Sequence, residues 1–132
     1  MKKVMVFGTF NILHPGHLNF FRQAKKFGDK LYVVLARDCT VKKIKKYSPF
    51  NEIERKQKLM KLPMVDEVIL GHISDKMNAI KTINPDVICL GYDQKYFINE
   101  LEAFLEQEEM DLIIIKLKPY KEEIYKSSKL SN

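Results

Sequence analysis

At 132 residues, with 45% hydrophobic and 30% charged side chains, the chain reads as one globular domain, residues 1–132, able to bury a core without staples. No apolar run reaches the roughly 18–20 residues that a bilayer span needs, and "MKKVMVFGTF" runs at once from two lysines into a strand and a glycine turn, so neither a membrane partner nor a signal peptide is expected and the expected location is cytoplasmic. Two cysteines, Cys39 and Cys89, exclude a disulfide framework, and a formal charge of +6 points to an anionic partner.

Residues 3–10, "KVMVFGTF", are the first continuous apolar run and are predicted as a strand. A loop containing "NILHPGH" follows. A helix is predicted over 15–28, with Phe20, Ala24 and Phe27 spaced i, i+4, i+7, Leu18 and Phe21 beside them, Pro15 at its first position and Gly28 as its stop. A second strand covers 30–37, "KLYVVLAR". Residues 38–50 are the longest irregular connection, and "RDCTVKKIKK" (37–46) sets five basic side chains against Asp38 alone. A solvated loop would read the same way.

The next helix, 51–62, opens on Asn51 with Glu54 three residues on, the pattern of a capping box. Strand three is predicted over 66–73. A helix over 75–84 aligns Met77, Ile80 and Ile83 and ends before Pro85. Strand four, 86–93, encloses Cys89, expected as a buried thiol. The helix over 95–109 turns Phe97, Leu101, Phe104 and Leu105 inward and Glu100, Glu102, Glu106 and Glu108 to water, and strand five covers 111–118.

Strand runs that are continuous rather than alternating suit a parallel sheet covered on both faces. Strict alternation of strand and helix then predicts the α/β class: a Rossmann-like, doubly wound, five-stranded parallel sheet. Ligands of such folds bind at the carboxyl ends of the strands, near the topological switch point. Four polar segments fall on that edge: 8–17, the basic connection, "GYDQ" (91–94) and "YKSSKL" (125–130).

The first of these is the most informative. Gly8 permits close approach, Thr9 follows, and His14 and His17 stand three apart around Pro15-Gly16. If Pro15 begins the helix, His14 is its N-cap and His17 lies one turn along on the same side. A helix start favours anions, and imidazole N–H groups can share charge on a phosphate oxygen. Neither a dinucleotide G-x-G-x-x-G nor a Walker G-x-x-x-x-G-K-[ST] is present.

With these residues in view, the chain resembles the nucleotidylyltransferase superfamily. Its HxGH signature stands here as His14-Pro15-Gly16-His17, and the "GTFDxxHxGH" of the cytidylyltransferase-like branch stands as "GTFNILHPGH". "ERKQKL" (54–59) resembles the arginine motif of that branch, and "YKSSKL" its C-terminal serine motif. Within the branch, "ARDCTVKKIK" and "INPDVICLGYDQ" look most like archaeal FAD synthases, with glycerol-3-phosphate cytidylyltransferases close by.

The resemblance implies that AMP passes from ATP to FMN, or a cytidylyl group from CTP to glycerol 3-phosphate. It implies His14, His17 and one lysine of the basic stretch, from among Lys42, Lys43, Lys45 and Lys46 with Lys45 favoured, as the catalytic groups. Gly8, Thr9, Phe10, Asn11, Gly16, Arg55, Gly91, Asp93, Ser127 and Ser128 would bind the nucleotide. Tyr92, Tyr96 and Tyr120 follow strands four and five and would offer aromatic surface to a flavin. Asn11 replaces the aspartate of the motif: if that carboxylate helps hold Mg²⁺ its loss weakens the metal site, whereas in the favoured role of turn former or hydrogen-bond acceptor Asn substitutes well. Mg²⁺ or another divalent ion and a homodimer are implied too, and the metal ligands stay open.

An acceptor phosphate is already a nucleophile near neutral pH, so alignment and charge stabilisation suffice, and the absence of a triad or a carboxylate pair is no obstacle. The rival class is a non-catalytic nucleotide- or RNA-binding protein. Nucleic acid is disfavoured because no aromatic interleaves the basic residues between Arg37 and Lys46.

Overall fold

The computed structural model describes residues 1–10, 13–43, 49–71, 76–91 and 98–117. In chain order the elements are β1 (Lys3–Gly8), α1 (Pro15–Lys25), β2 (Lys30–Ala36), α2 (Asp38–Lys43), α3 (Glu52–Met60), β3 (Glu67–Gly71), α4 (Lys76–Ile83), β4 (Val87–Leu90), α5 (Ile98–Gln107) and β5 (Ile113–Lys116). All strand pairs are parallel, in the order β3-β2-β1-β4-β5. The predicted α/β class and doubly wound five-stranded sheet are therefore present.

The apolar runs divide between two cores by the two-residue period of a strand. Val4 and Val6 of β1, Leu31, Val33 and Leu35 of β2 and Val87 and Cys89 of β4 face one side, with Phe21 and Ala24 of α1 and Leu59 of α3. Met5, Phe7, Tyr32, Val34, Ile88 and Leu90 face the other, with Ile80 and Ile83 of α4 and Leu101 and Leu105 of α5. Cys89 is buried, and burial pushes its thiol up to about 12. Among the described residues no helix is long and apolar enough to cross a membrane.

Aspartates finish the amino end of the sheet. Asp29, Asp66 and Asp86 each stand directly before a strand and accept a main-chain N–H from a neighbouring one: Lys2 at 2.7 Å, Leu31 at 2.8 Å and Lys3 at 2.8 Å. These are donors that a parallel ladder leaves over at its edge. Lys25 of α1 also bonds Asp66. Burial alone would raise the Asp66 pKa, but the Lys25 ammonium and the Leu31 amide outweigh it and hold the carboxyl below its ordinary value.

Several boundaries differ from the sequence expectation. Helix α1 ends at Lys25, so Phe27 lies beyond it and is 39% exposed. Gly28 does not stop that helix in a left-handed turn. It lets the chain press against β1, where a Cβ would stand 2.6 Å from Val4 Cγ2 and 2.8 Å from the Lys2 carbonyl oxygen. Residues 38–43 of the expected irregular connection are helix α2. The capping box at α3 is present: Asn51 Oδ1 accepts from Glu54 N at 2.8 Å and Glu54 Oε1 from Asn51 N at 3.1 Å. Helix α4 ends with Asn84 at φ 52, its N–H on the Ile80 carbonyl, just before Pro85.

The chain leaves β1 through a strained turn. Phe10 is 7% exposed and has φ 47, a region that bulky residues rarely adopt. Its ring folds back over Gly8 and packs on Phe21 at 5.0 Å between centroids. Gly8 has no positive φ, so space rather than conformation excludes a side chain there. A Cβ at Gly8 would lie 2.6 Å from Phe10 Cζ.

Gly8→Ala is therefore expected to destabilise the fold by about 1–3 kcal/mol through forced displacement of the ring. In a Phe10→Ala background the same substitution should be neutral or slightly stabilising. Urea denaturation of the four proteins measures this coupling, and an equal cost in both backgrounds would refute the clash.

Candidate active site

Strand β1 is central, and the chain leaves it toward β2 on one side, while β4, its other neighbour, leads to β5 on the opposite side. The carboxyl ends of β1 and β4 thus flank the switch point. Gly8 ends β1 there, Thr9 and Phe10 follow it, and Gly91 follows β4.

His14 is the N-cap of α1, with extended backbone (φ −141, ψ 171), and Pro15 is the first helical residue. Its carbonyl accepts from His17 N at 2.9 Å and from Leu18 N at 3.2 Å, and its Nδ1 accepts from Gly16 N at 3.0 Å. Pro15 has no N–H, so the first amides of the helix are committed inside the turn. An Nδ1 that accepts carries no proton, so the neutral ring holds its hydrogen on Nε2 and presents it as a donor. Half-burial holds the His14 pKa below its ordinary value, which favours that neutral ring.

His17 lies one turn on. The two imidazoles stack with centroids 3.9 Å apart and planes 27° from parallel, and the Phe10 ring meets His17 edge-on at 5.3 Å. Phe10 thus links the paired rings to the core at Phe21. The neutral His14 ring, with His17 stacked on it, stands at the positive end of an 11-residue helix, a setting that favours a phosphate.

Arg55 is 1% exposed, although it lies in a charged helix. Its Nη1 donates to the Thr9 carbonyl at 2.9 Å and its Nη2 to Asp38 Oδ1 at 2.9 Å. Asp38 opens α2, and its N–H donates to Glu52 Oε1 at 3.0 Å. Glu52 Oε2 also receives Arg37 Nη1 at 3.4 Å. Helix α3 therefore holds both the turn after β1 and the start of α2.

Of the expected site residues, Gly8, Thr9, Phe10, His14, Gly16, His17 and Arg55 lie in or against this turn, and Gly91 stands across the switch point. Asn11, Lys45, Tyr92, Asp93, Tyr96, Tyr120, Ser127 and Ser128 lie outside the described residues. Sequence reasoning passed over Asp38 and Glu52. The available signal was Arg55 itself, four residues before the buried Leu59 and so on the inward stripe of α3, where an arginine needs a partner. Among the described residues no three His, Cys, Asp or Glu side chains group to hold a metal. The groups that do converge are the two imidazoles at the helix start, which suit a divalent ion carried on a phosphate better than one bound by side chains alone.

Comparison with known proteins agrees with this geometry. A family model described as cytidylyltransferase-like matches residues 5–131. The FAD synthase of Aciduliprofundum boonei is 42% identical over 120 residues, spanning 91% of this chain and 80% of its own, and that of Thermoplasma acidophilum is 40% identical over 128, spanning 97% and 90%. A solved structure from Thermoplasma volcanium, described as a lipopolysaccharide core biosynthesis protein, superposes with a TM-score of 0.86 at 39% identity, over 92% of this chain and 99% of that one. A pantoate-beta-alanine ligase from Francisella tularensis shares the fold at 16% identity, with a TM-score of 0.66 over 98% of this chain and 67% of that one. With its paired histidines at the first helix of a parallel sheet and a match along almost its whole length, the chain belongs to the cytidylyltransferase-like family.

Proposed function

We propose that this nucleotidyltransferase is an FAD synthase, transferring AMP from ATP to FMN with release of pyrophosphate. The observation that carries the reading is its 42% and 40% identity to archaeal FAD synthases along nearly the whole chain. An oxygen of the FMN phosphate attacks the α-phosphorus of ATP. The new P–O bond forms as the bond to the bridging oxygen breaks, and pyrophosphate takes that electron pair. No general base is needed, because the attacking phosphate is already ionised.

The work left to the protein is alignment and charge stabilisation. Nε2–H of His14, with His17 stacked against it, donates toward an oxygen of the α-phosphate, and Lys45 adds a positive charge. Gly8, Thr9, Phe10, Asn11, Gly16, Gly91, Asp93, Ser127 and Ser128 bound the nucleotide, and Tyr92, Tyr96 and Tyr120 offer surface to the flavin. Mg²⁺ or a similar ion, when bound, neutralises the phosphates. A homodimer and a cytoplasmic location belong to the same reading.

Purified protein given ATP and FMN should form FAD and pyrophosphate, as chromatography would resolve. Turnover of CTP with glycerol 3-phosphate, with FMN inert, would transfer the chain to the other activity. Steep salt-dependent nucleic-acid binding without turnover would overturn catalysis altogether.

His17→Ala should lower turnover by about 10²–10³, the scale for losing one transition-state donor. His14→Ala should do the same and also weaken the helix start by about 0.5–2 kcal/mol. His14→Asn separates the two effects, because asparagine caps well but lacks Nε2–H: stability should hold while turnover falls. Wild-type turnover in any of the three would remove the histidines from the chemistry.

The pKa of His14 is depressed in the folded chain, so the unfolded chain binds that proton more readily. Its contribution to stability is complete above about pH 6.5 and is lost as pH falls through the lowered folded value. The urea midpoint of the wild type should drop across that interval more than that of His14→Asn. Parallel profiles would show that the cap does not titrate.

A further inference from the structure

Arg55 stands first among the largest fully buried side chains, yet it is a cation. A buried guanidinium is costly where its donors go unmet, and Arg55 Nε has no hydrogen-bond partner among the described residues. Here two are met by groups of different origin: the Thr9 carbonyl in the turn after β1 and the Asp38 carboxylate at the start of α2. Asp38 is in turn fixed through its N–H by Glu52, three residues before Arg55 on the same helix. The chain of bonds runs from Arg37 to the Glu52 carboxylate, from that carboxylate to the Asp38 amide, and from the Asp38 carboxylate to Arg55, and it ends on a main-chain oxygen one residue before Phe10.

We propose that Arg55 and Asp38 are a positioning pair for the imidazoles rather than contacts to the nucleotide; this rests on the function proposed above. Asp38 orients the guanidinium. The guanidinium holds the Thr9 carbonyl. That anchors the left-handed turn at Phe10, whose ring edge meets His17. The geometry leaves Arg55 little room for a ligand: it is 1% exposed and already bonded on both terminal nitrogens. Asp38, half exposed, keeps part of its hydration and so can balance the buried charge.

The test compares Asp38→Ala, Asp38→Asn, Arg55→Lys and the Asp38→Ala/Arg55→Lys double variant. Two readouts are used: the ATP kcat and KM, and the His17 ring signals in a ¹H–¹⁵N spectrum without ligand. A small misplacement of a catalytic group can lower turnover by up to about 10²-fold. Asp38→Ala and Arg55→Lys should each lower kcat by about 10- to 100-fold, with KM for ATP changed by less than about 3-fold. Both should shift the His17 signals. Asp38→Asn keeps an oxygen facing Nη2, so it should restore the signals and most of kcat. The double variant should be no worse than the poorer single one.

The proposal is overturned if Arg55→Lys raises KM at unchanged kcat while Asp38→Ala is silent, which would make Arg55 a ligand contact. It is also overturned if the variants lose stability with the His17 signals and kcat unmoved. The spectrum needs no substrate, so it decides for or against the pair even if FMN proves not to be the acceptor.

Discussion

Strand β1 is hydrogen-bonded along both edges and covered on both faces, and the rest of the molecule is arranged by that constraint. Its Val4 and Val6 must be sealed by α1 and α3, and its Met5 and Phe7 by α4 and α5. A central strand with helices on both faces leaves one open place, the end where the chain departs. Gly8, the Phe10 turn and the paired histidines occupy that end, at the point where β1 and β4 lead away to opposite edges. The site is thus a by-product of closing the two cores.

The two ends of the sheet carry opposite chemistry for one reason. At the amino end the strands offer spare N–H donors, and carboxylates of Asp29, Asp66 and Asp86 accept them. At the carboxyl end the groups that gather are donors: imidazoles at a helix start and a guanidinium at a carbonyl. Among the described residues, the acid groups Asp38 and Glu52 near that end are consumed locally, Asp38 by Arg55 and Glu52 by Arg37 and the Asp38 amide. The polarity that a ligand meets therefore follows the direction of the strands, and it favours phosphate.

Much of this was legible in the sequence. Continuous apolar runs fixed the parallel sheet, Pro15 fixed the start of α1, and Asn51 with Glu54 fixed the start of α3. What escaped was decided by tertiary contacts. Helix α2 has six residues, too few to display a period, and its start is held by Glu52 and Arg55 from another helix. Strand order depends on which side of β1 the chain passes after β3, and no periodicity within a strand records that. Phe27 continued the stripe of α1 on paper, but the helix ends at Lys25. Arg55 stood out as a motif, whereas its burial became visible only once the helix was placed. Asp66 and Asp86 were expected as the first residues of strands, and with Asp29 they instead stand just before β3, β4 and β2, where their carboxylates accept main-chain N–H groups, a role that no pattern within a strand records.

The capping role of His14 has a consequence for inhibition by metals and electrophiles. Its Nδ1 accepts the Gly16 amide, so an incoming reagent meets that nitrogen already engaged in the helix start. A soft cation or an alkylating group that took Nδ1 would have to unwind the first turn of α1. An adduct on Nδ1 should therefore form only where that turn has opened, and the regiochemistry of labelling would report whether the helix start was intact when it formed.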